Sequence, residues 1–275
     1  MLTVVGQQLN SQNIERVLVL AMKDKVVVIT GANGGIGTAI ADYFHRKGAK
    51  LALLDLKFAN NKESFSESLC IECDVTDIKN VAMAKDIIVD VYGKIDVLVN
   101  CAGILPPVTP LEEIDAHDWK KTIDINLNGT FYCTQVFGKV MLKNDGGSIV
   151  NIASMAGLTP SPKREAYSVS KAAVLMLTKQ TAIEWGSRKI RANAVCPGYI
   201  ETPLISHMYK DEKIRKKRER LIPMGRLGRP EEVARVVYFL ASPESEYING
   251  EFIKIDGAYT LTTLPNIDSK GNVID

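Results

Sequence analysis

Seven short runs of β-branched and aliphatic residues, at 25–30, 51–55, 69–73, 95–100, 148–153, 190–196 and 252–256, alternate with longer stretches of mixed apolar and polar residues. Strand-length runs separated by helix-length stretches predict an α/β protein. Most runs are apolar nearly throughout rather than at every second position, which predicts strands covered on both faces and hence a parallel sheet. Right-handed crossovers between parallel strands then predict a doubly wound sheet, with its ligand crevice beyond the carboxyl ends of the strands. The chemically interesting residues fall at those ends: Gly31 after the first run, Asp55 closing the second, Asp74 after the third, Asn100 closing the fourth, Ser154 after the fifth, and Pro197 with Gly198 after the sixth.

Composition narrows the function class. At 275 residues, 46% hydrophobic and 24% charged, the chain has enough apolar material for one large core. A formal charge of +2, with acids and bases interspersed, gives no reason to expect a nucleic-acid or membrane partner. Five scattered cysteines fit reduced thiols and a cytoplasmic setting better than a disulfide framework. Cys70 and Cys73 match C-x-x-C, but on a strand they face opposite sides of the sheet, and His45, His117 and His207 are far apart in sequence, so no metal site is expected. Residues 1–22 lack the pattern of a signal, transit or membrane-spanning segment and read as an N-terminal extension. Met22 stands where a domain at 23–260 can begin by itself, and 261–275 is a polar tail that can fray or reach across a subunit boundary.

Two local patterns carry chemistry. Gly31, Gly35 and Gly37 follow the first apolar run, where a glycine-rich turn brings phosphate oxygens to the backbone and to the positive end of a helix. Asp55, eighteen residues past Gly37, is placed to accept hydrogen bonds from an adenosine ribose and to repel a 2′-phosphate. NAD is therefore expected over NADP, although a carboxylate there can also simply cap the next turn. Tyr167 and Lys171, four apart, share one face of a helix, so the ammonium can favour the phenolate and make the phenol usable as an acid/base. In isolation such a pair is an ordinary helix-surface contact, and Ser154, thirteen residues earlier, is an ordinary turn residue or cap.

Taken together, these residues resemble the short-chain dehydrogenase/reductase family over roughly 23–259. Thr30-Gly31-x-x-x-Gly35-Ile36-Gly37 is similar to its cofactor motif, and Asn100-Cys101-Ala102-Gly103 to its Asn-Asn-Ala-Gly segment with cysteine in second place. Asn126, Ser154, Tyr167 and Lys171 match its catalytic tetrad, and Pro197-Gly198-Tyr199-Ile200-Glu201-Thr202 the stretch that closes over nicotinamide. The resemblance implies one Rossmann-type domain with seven parallel strands in the order 3-2-1-4-5-6-7. With Asn33, Gly34, Leu56, Asp74 and Val75, these motifs make up the expected cofactor contacts. Tyr167 would exchange the alcohol proton as hydride passes to or from the nicotinamide. Lys171 would lower the phenol pKa and bind the nicotinamide ribose, and Ser154 would donate to the substrate oxygen. For Asn126 the resemblance implies a water-linked path from Lys171 to solvent. The segment between Asp55 and Asp74 is short, so the family's helix there is expected to shrink to a loop, and Asp256-Gly257-Ala258 replaces the family's Asp-Gly-Gly.

Specificity is expected from 105–109, 155–164 and a lid at about 199–224, which carries six basic residues in the eight from Lys213 to Arg220. That run reads as a solvated helix or as a patch for an anionic substrate. Three functions remain open at this point: an NAD-linked dehydrogenase of a secondary alcohol, sugar or cyclic; a 3-oxoacyl-thioester reductase; and a catalytically silent nucleotide-binding scaffold. The resemblance also implies a homotetramer. The apolar segment 172–177 suits either a subunit interface or the packing of a helix on the sheet.

Overall fold

The computed structural model describes residues 22–58, 67–203 and 211–262. The extension ahead of Met22, the middle of the segment between Asp55 and Asp74, the lid around His207 and the tail from 263 lie outside the described residues.

The strands are β1 Val26–Thr30, β2 Lys50–Asp55, β3 Leu69–Glu72, β4 Val97–Asn100, β5 Gly147–Ile152, β6 Ile190–Pro197 and β7 Phe252–Ile255. They form one sheet in the order β3-β2-β1-β4-β5-β6-β7, every pair parallel. The strand order expected from the sequence is the order found.

Among the described residues, seven helices flank the strands: α1 Gly35–Arg46, α2 Ile78–Tyr92, α3 Ala116–Ile123, α4 Gly129–Met141, α5 Glu165–Trp185, α6 Glu212–Arg220 and α7 Pro230–Ala241. Their ends carry recognisable stops and starts. Asp77 caps α2 by accepting from the Lys79 N–H at 2.8 Å, and Gly93 ends that helix in the left-handed region at φ 75°. Pro230 opens α7, whose Glu232 carboxylate accepts from the Arg229 N–H at 2.8 Å.

Continuous burial of β1 explains why its five residues are all apolar or small. Val27 and Ile29 join the layer under α1 and α7 with Ile40, Phe44, Val233 and Leu240, whereas Val26 and Val28 face α2 and α4 with Val81, Ile88, Phe137 and Met141. Each fully buried side chain of this size contributes roughly 1.5–3 kcal/mol of hydrophobic stabilisation. The expected strand at 95–100 begins at Val97 instead. Asp96 is turned to the amino edge of the sheet, where its carboxylate accepts from the Val26 N–H at 2.8 Å and pairs with Lys25 and Lys94 at 3.1 and 2.9 Å.

Beneath the carboxyl edge, buried polar side chains tie strands to helices. Asn100 Nδ2 donates to Asn151 Oδ1 at 2.8 Å and to Thr134 Oγ1 of α4 at 3.1 Å. Asn151 Nδ2 donates in turn to Thr178 Oγ1 of α5 at 2.8 Å. Both site-bearing helices are thereby registered to the centre of the sheet.

Candidate active site

A cavity of about 1180 Å³ opens along the carboxyl ends of the strands, above the range of roughly 300–1,000 Å³ usual for a single small-molecule pocket. At its β1 end the chain turns through Gly31 at φ +65°, where an added Cβ would lie 2.7 Å from the Ala102 Cα. That close approach, and not flexibility in general, requires glycine here. Thr30 Oγ1 accepts from the Cys101 and Ala102 N–H groups, both at 3.1 Å, and locks the two crossing segments together.

Helix α1 then starts at Gly35 with no side chain capping it and no acid in its first turn. Gly35, Ile36 and Gly37 therefore present uncapped backbone N–H groups and a positive helix end to the cavity they line with Gly34, whose own N–H donates to the Gly31 carbonyl at 3.1 Å. Such a cradle fits a pyrophosphate.

Asp55 closes β2 beside this cradle. One carboxylate oxygen accepts from the Asn33 N–H at 2.9 Å and the other from the Leu56 N–H at 2.8 Å. Each oxygen keeps a second lone pair for a ribose hydroxyl. Asp74, after β3, accepts from the Thr76 N–H and Oγ at 2.9 and 2.7 Å, and Val75 packs against the helix junction at Gly129.

At the other end, Tyr167 and Lys171 rise from the first two turns of α5. Lys171 is buried; its ammonium donates to the Ile152 carbonyl at 2.8 Å and stands 5.9 Å from the centre of the Tyr167 ring. Burial pulls the Lys171 pKa down to about 8. Burial pushes the Tyr167 phenol above its ordinary value, and a hydrogen bond from Ser154 and the Arg164 guanidinium pull it back. Ser154 sits just past β5 in extended backbone at φ −168°, buried, with its Oγ also accepting from the Ala156 N–H at 3.1 Å. Burial holds Cys101 and Cys196 up at about 12, so both remain neutral thiols beside the lysine.

Asn126 lies behind these groups, fully buried in a widened helical turn at Asp124–Asn128 between α3 and α4. Its Oδ1 accepts from the Ile104 N–H at 2.8 Å, and its Nδ2 donates to the Ile104 carbonyl at 3.0 Å and to Ser170 Oγ at 3.2 Å. An added Cβ on Gly103 would lie 3.2 Å from Asn126 Oδ1 and 3.4 Å from Lys171 Nζ, so the segment slots between them. Asn126 thus touches the site through residues 103–104 and Ser170.

The expected site residues Gly31, Asn33, Asp55, Leu56, Asp74, Val75, Ala102, Gly103, Ser154, Tyr167, Lys171, Pro197, Gly198, Ile200 and Thr202 all line this one cavity, with the α1 turn. Asn100 and Asn126 do not; both are turned into the protein. The sequence reading missed His117, Lys120 and Lys121 of α3, and Tyr259 after β7, which also line it. Their one sequence signal is position, since α3 follows the carboxyl end of β4.

Comparison with known proteins agrees with this geometry. Residues 31–260 match a family model described as enoyl-(acyl carrier protein) reductase. The chain is 40% identical over 245 residues to the D-threitol dehydrogenase of Mycolicibacterium smegmatis, covering 86% of this chain and 93% of that one. It is 39% identical over 249 residues to a 3-oxoacyl-(acyl-carrier-protein) reductase of Thermotoga maritima, covering 88% of this chain and all of the other. The ligand-free structure of Thermoplasma acidophilum aldohexose dehydrogenase superposes with a TM-score of 0.82 at 37% identity, over 88% of this chain and 96% of that one. With the sheet order, the glycine turn and the Ser-Tyr-Lys cluster, these matches show that the chain belongs to the short-chain dehydrogenase/reductase family of oxidoreductases.

Proposed function

We propose that the protein oxidises a secondary alcohol, a sugar, polyol or cyclic alcohol, to the corresponding ketone or lactone, reversibly and with NAD. The observation that carries this reading is the convergence of Ser154, Tyr167 and the buried Lys171 on one wall of a cavity that begins at the α1 cradle. NAD, when bound, accepts or returns the hydride at its nicotinamide.

The chain's own residues do the rest. The α1 cradle receives the pyrophosphate, and Asp55 receives the adenosine ribose and repels a 2′-phosphate; at a partly screened dielectric that like-charge contact costs on the order of a few kcal/mol. Ser154 hydrogen-bonds the carbinol oxygen and steadies the charge that develops on it. Tyr167 takes the hydroxyl proton during oxidation and gives it back during reduction. Lys171 supplies positive charge below the phenol, and Asn126 holds the 103–104 segment in place behind the lysine.

The relatives named for threitol and aldohexose support an alcohol-oxidising reading. The Thermotoga relative supports a second one, reduction of a 3-oxoacyl thioester, to which the basic face of α6 lends charge. Rates with NAD and NADP against threitol, aldohexoses, cyclohexanol and, in reverse, acetoacetyl thioesters separate the two. The expected result is faster turnover with NAD and an alcohol. Preference for NADPH and a thioester overturns the proposal, and NAD binding without turnover of any compound returns the protein to a scaffold role. The homotetramer is likewise proposed.

A further inference from the structure

A smaller chamber adjoins the substrate end of the cavity. It holds about 180 Å³, and Met155, Ser161, Pro162 and Tyr259 line both spaces. Met155 follows Ser154 directly and is itself buried, so the chamber begins one residue from the site serine. The backbone there is fixed: Ser154 Oγ accepts from the Ala156 N–H at 3.1 Å, and the Met155 carbonyl accepts from the Leu158 and Thr159 N–H groups, both at 3.0 Å.

The other walls come from two distant parts of the chain. Leu221, at the end of α6, leaves 55% of its surface exposed, and Tyr259, Thr260 and Thr262 follow β7. That last stretch is a braced turn. The Asp256 carboxylate accepts from the Ala258 N–H at 3.0 Å and from the Thr260 N–H and Oγ1 at 2.9 and 2.7 Å. Ala258, where the sequence departs from Asp-Gly-Gly, is thereby kept in left-handed backbone at φ 70°, a conformation that residues other than glycine seldom adopt. Backbone strain of this kind collects at ligand sites. Tyr259, the next residue, packs edge-on against Tyr199 with ring centres 5.2 Å apart.

The chemistry of these walls selects the occupant. Among the described residues, no charged side chain lines the chamber. Met155, Pro160, Pro162, Leu221 and the Tyr259 ring give it an apolar face. The hydroxyls of Thr260 and Thr262 donate to Asp256 and to the Tyr259 carbonyl, both at 2.7 Å, and so offer no proton to a guest; Thr159 and Ser161 supply the remaining side-chain hydroxyls. Hydroxyl groups of a polyol placed here would leave water without full replacement of their hydrogen bonds. An apolar cavity of about 150 Å³ accepts benzene, so the volume suits a six-carbon ring.

We propose that this chamber receives an uncharged hydrocarbon ring attached to the carbinol carbon, while the carbinol itself lies against Ser154 and Tyr167. Resting on the alcohol-oxidising reading above, this narrows the preferred substrate to a secondary alcohol that carries a ring-sized apolar group, with small polyols disfavoured. Leu221 is a specificity-determining residue, because it lines the side chamber and not the main cavity.

The test compares kcat/KM for NAD-linked oxidation of 1-cyclohexylethanol, 2-propanol and threitol by the wild type, L221S and L221M. Calorimetric titration of the NAD-saturated proteins with cyclohexanecarboxamide and acetamide, which have no carbinol to oxidise and differ by the same ring, accompanies it. The expected result is a preference of at least about thirtyfold for 1-cyclohexylethanol over 2-propanol, because the ring carries its added carbons out of water, with threitol used no better than 2-propanol. L221S should lower the ring preference by at least about fivefold and weaken cyclohexanecarboxamide binding to match, whereas L221M should keep most of both. A wild type that favours threitol, or a ring preference that L221S leaves intact, overturns the chamber and leaves alcohol oxidation standing. Leu221-dependent binding of cyclohexanecarboxamide by a protein that oxidises none of the alcohols keeps the chamber and removes the reaction. Absence of both overturns both.

Discussion

At the scale of single residues, the chemistry turns on groups whose ordinary properties are altered by burial. Tyr167→Phe keeps the ring and removes the exchangeable proton, so turnover should fall by at least about 10²-fold with NAD affinity little changed, read by steady-state kinetics and by NAD titration. Asp55→Ser removes the charge that opposes a 2′-phosphate; the NAD-to-NADP ratio of kcat/KM should drop by about tenfold or more, and an unchanged ratio would leave Asp55 as a turn cap only.

Lys171 makes a pH-dependent contribution to stability whose sign is set by its depressed pKa. Its folded value of about 8 lies below the ordinary 10.5, so between those values the unfolded chain binds more protons than the folded one. The share of stability linked to Lys171 is therefore lowest below pH 8 and is regained as pH rises toward 10.5. In denaturant titrations from pH 7 to 10.5, wild type should gain on Lys171→Met by on the order of 3 kcal/mol across that window, and parallel curves would contradict the burial argument.

Tyr167, Lys171, Ser154 and the glycine turn were legible because each pattern is local, with spacings set by one helix or one strand-to-helix turn. The side chamber was not, because Met155, Leu221 and Tyr259 come from three separate parts of the chain that only tertiary packing brings around one space. The basic run from Lys213 to Arg220 was visible, but that Arg218 is its member lining the main cavity depends on the face α6 presents.

At the scale of elements, strands buried on both faces declare themselves in sequence, and all seven were placed to within two residues. The start of β4 moved because Asp96 serves the sheet edge with its side chain, something an apolar run cannot signal. The widened turn at Asp124–Asn128 also leaves no periodic trace, since it shifts the helix by a fraction of a turn to bring Asn126 behind Gly103.

Gly31→Ala tests the opposite kind of element, one whose demand is steric and local. Positive φ and a Cβ 2.7 Å from the Ala102 backbone should cost about 2 kcal/mol, seen as a lower denaturation midpoint together with weaker NAD binding. Retained stability and affinity would mean that the crossing of the β1 turn and the 101–103 segment is looser than this geometry implies.

At the scale of the whole molecule, α5 has two functional faces. Within the 172–177 segment Val174 and Leu175 are buried against β6, while Ala172 and Met176 are exposed. Val169, Met176 and Ile183, at seven-residue intervals, stand out on its far side at 47%, 64% and 78% exposure, with Phe131 of α4 at 40%. An apolar stripe of that length suits coverage by a second copy, in keeping with the proposed tetramer. Sedimentation of Ile183→Glu should show smaller particles than the wild type; a monomeric wild type would leave the stripe without that explanation.

The buried amide chain from Thr134 through Asn100 and Asn151 to Thr178 has a direction. Asn100 spends its amide nitrogen on both neighbours, while among the described residues its Oδ1 has no hydrogen-bond partner. Asn100→Asp would exchange that donor for a second acceptor facing the Asn151 oxygen, and the whole relay would have to reverse or break. A carboxylate at this one position would therefore loosen α4 and α5 together, so the seating of two helices is tied to a single amide in the middle of the sheet.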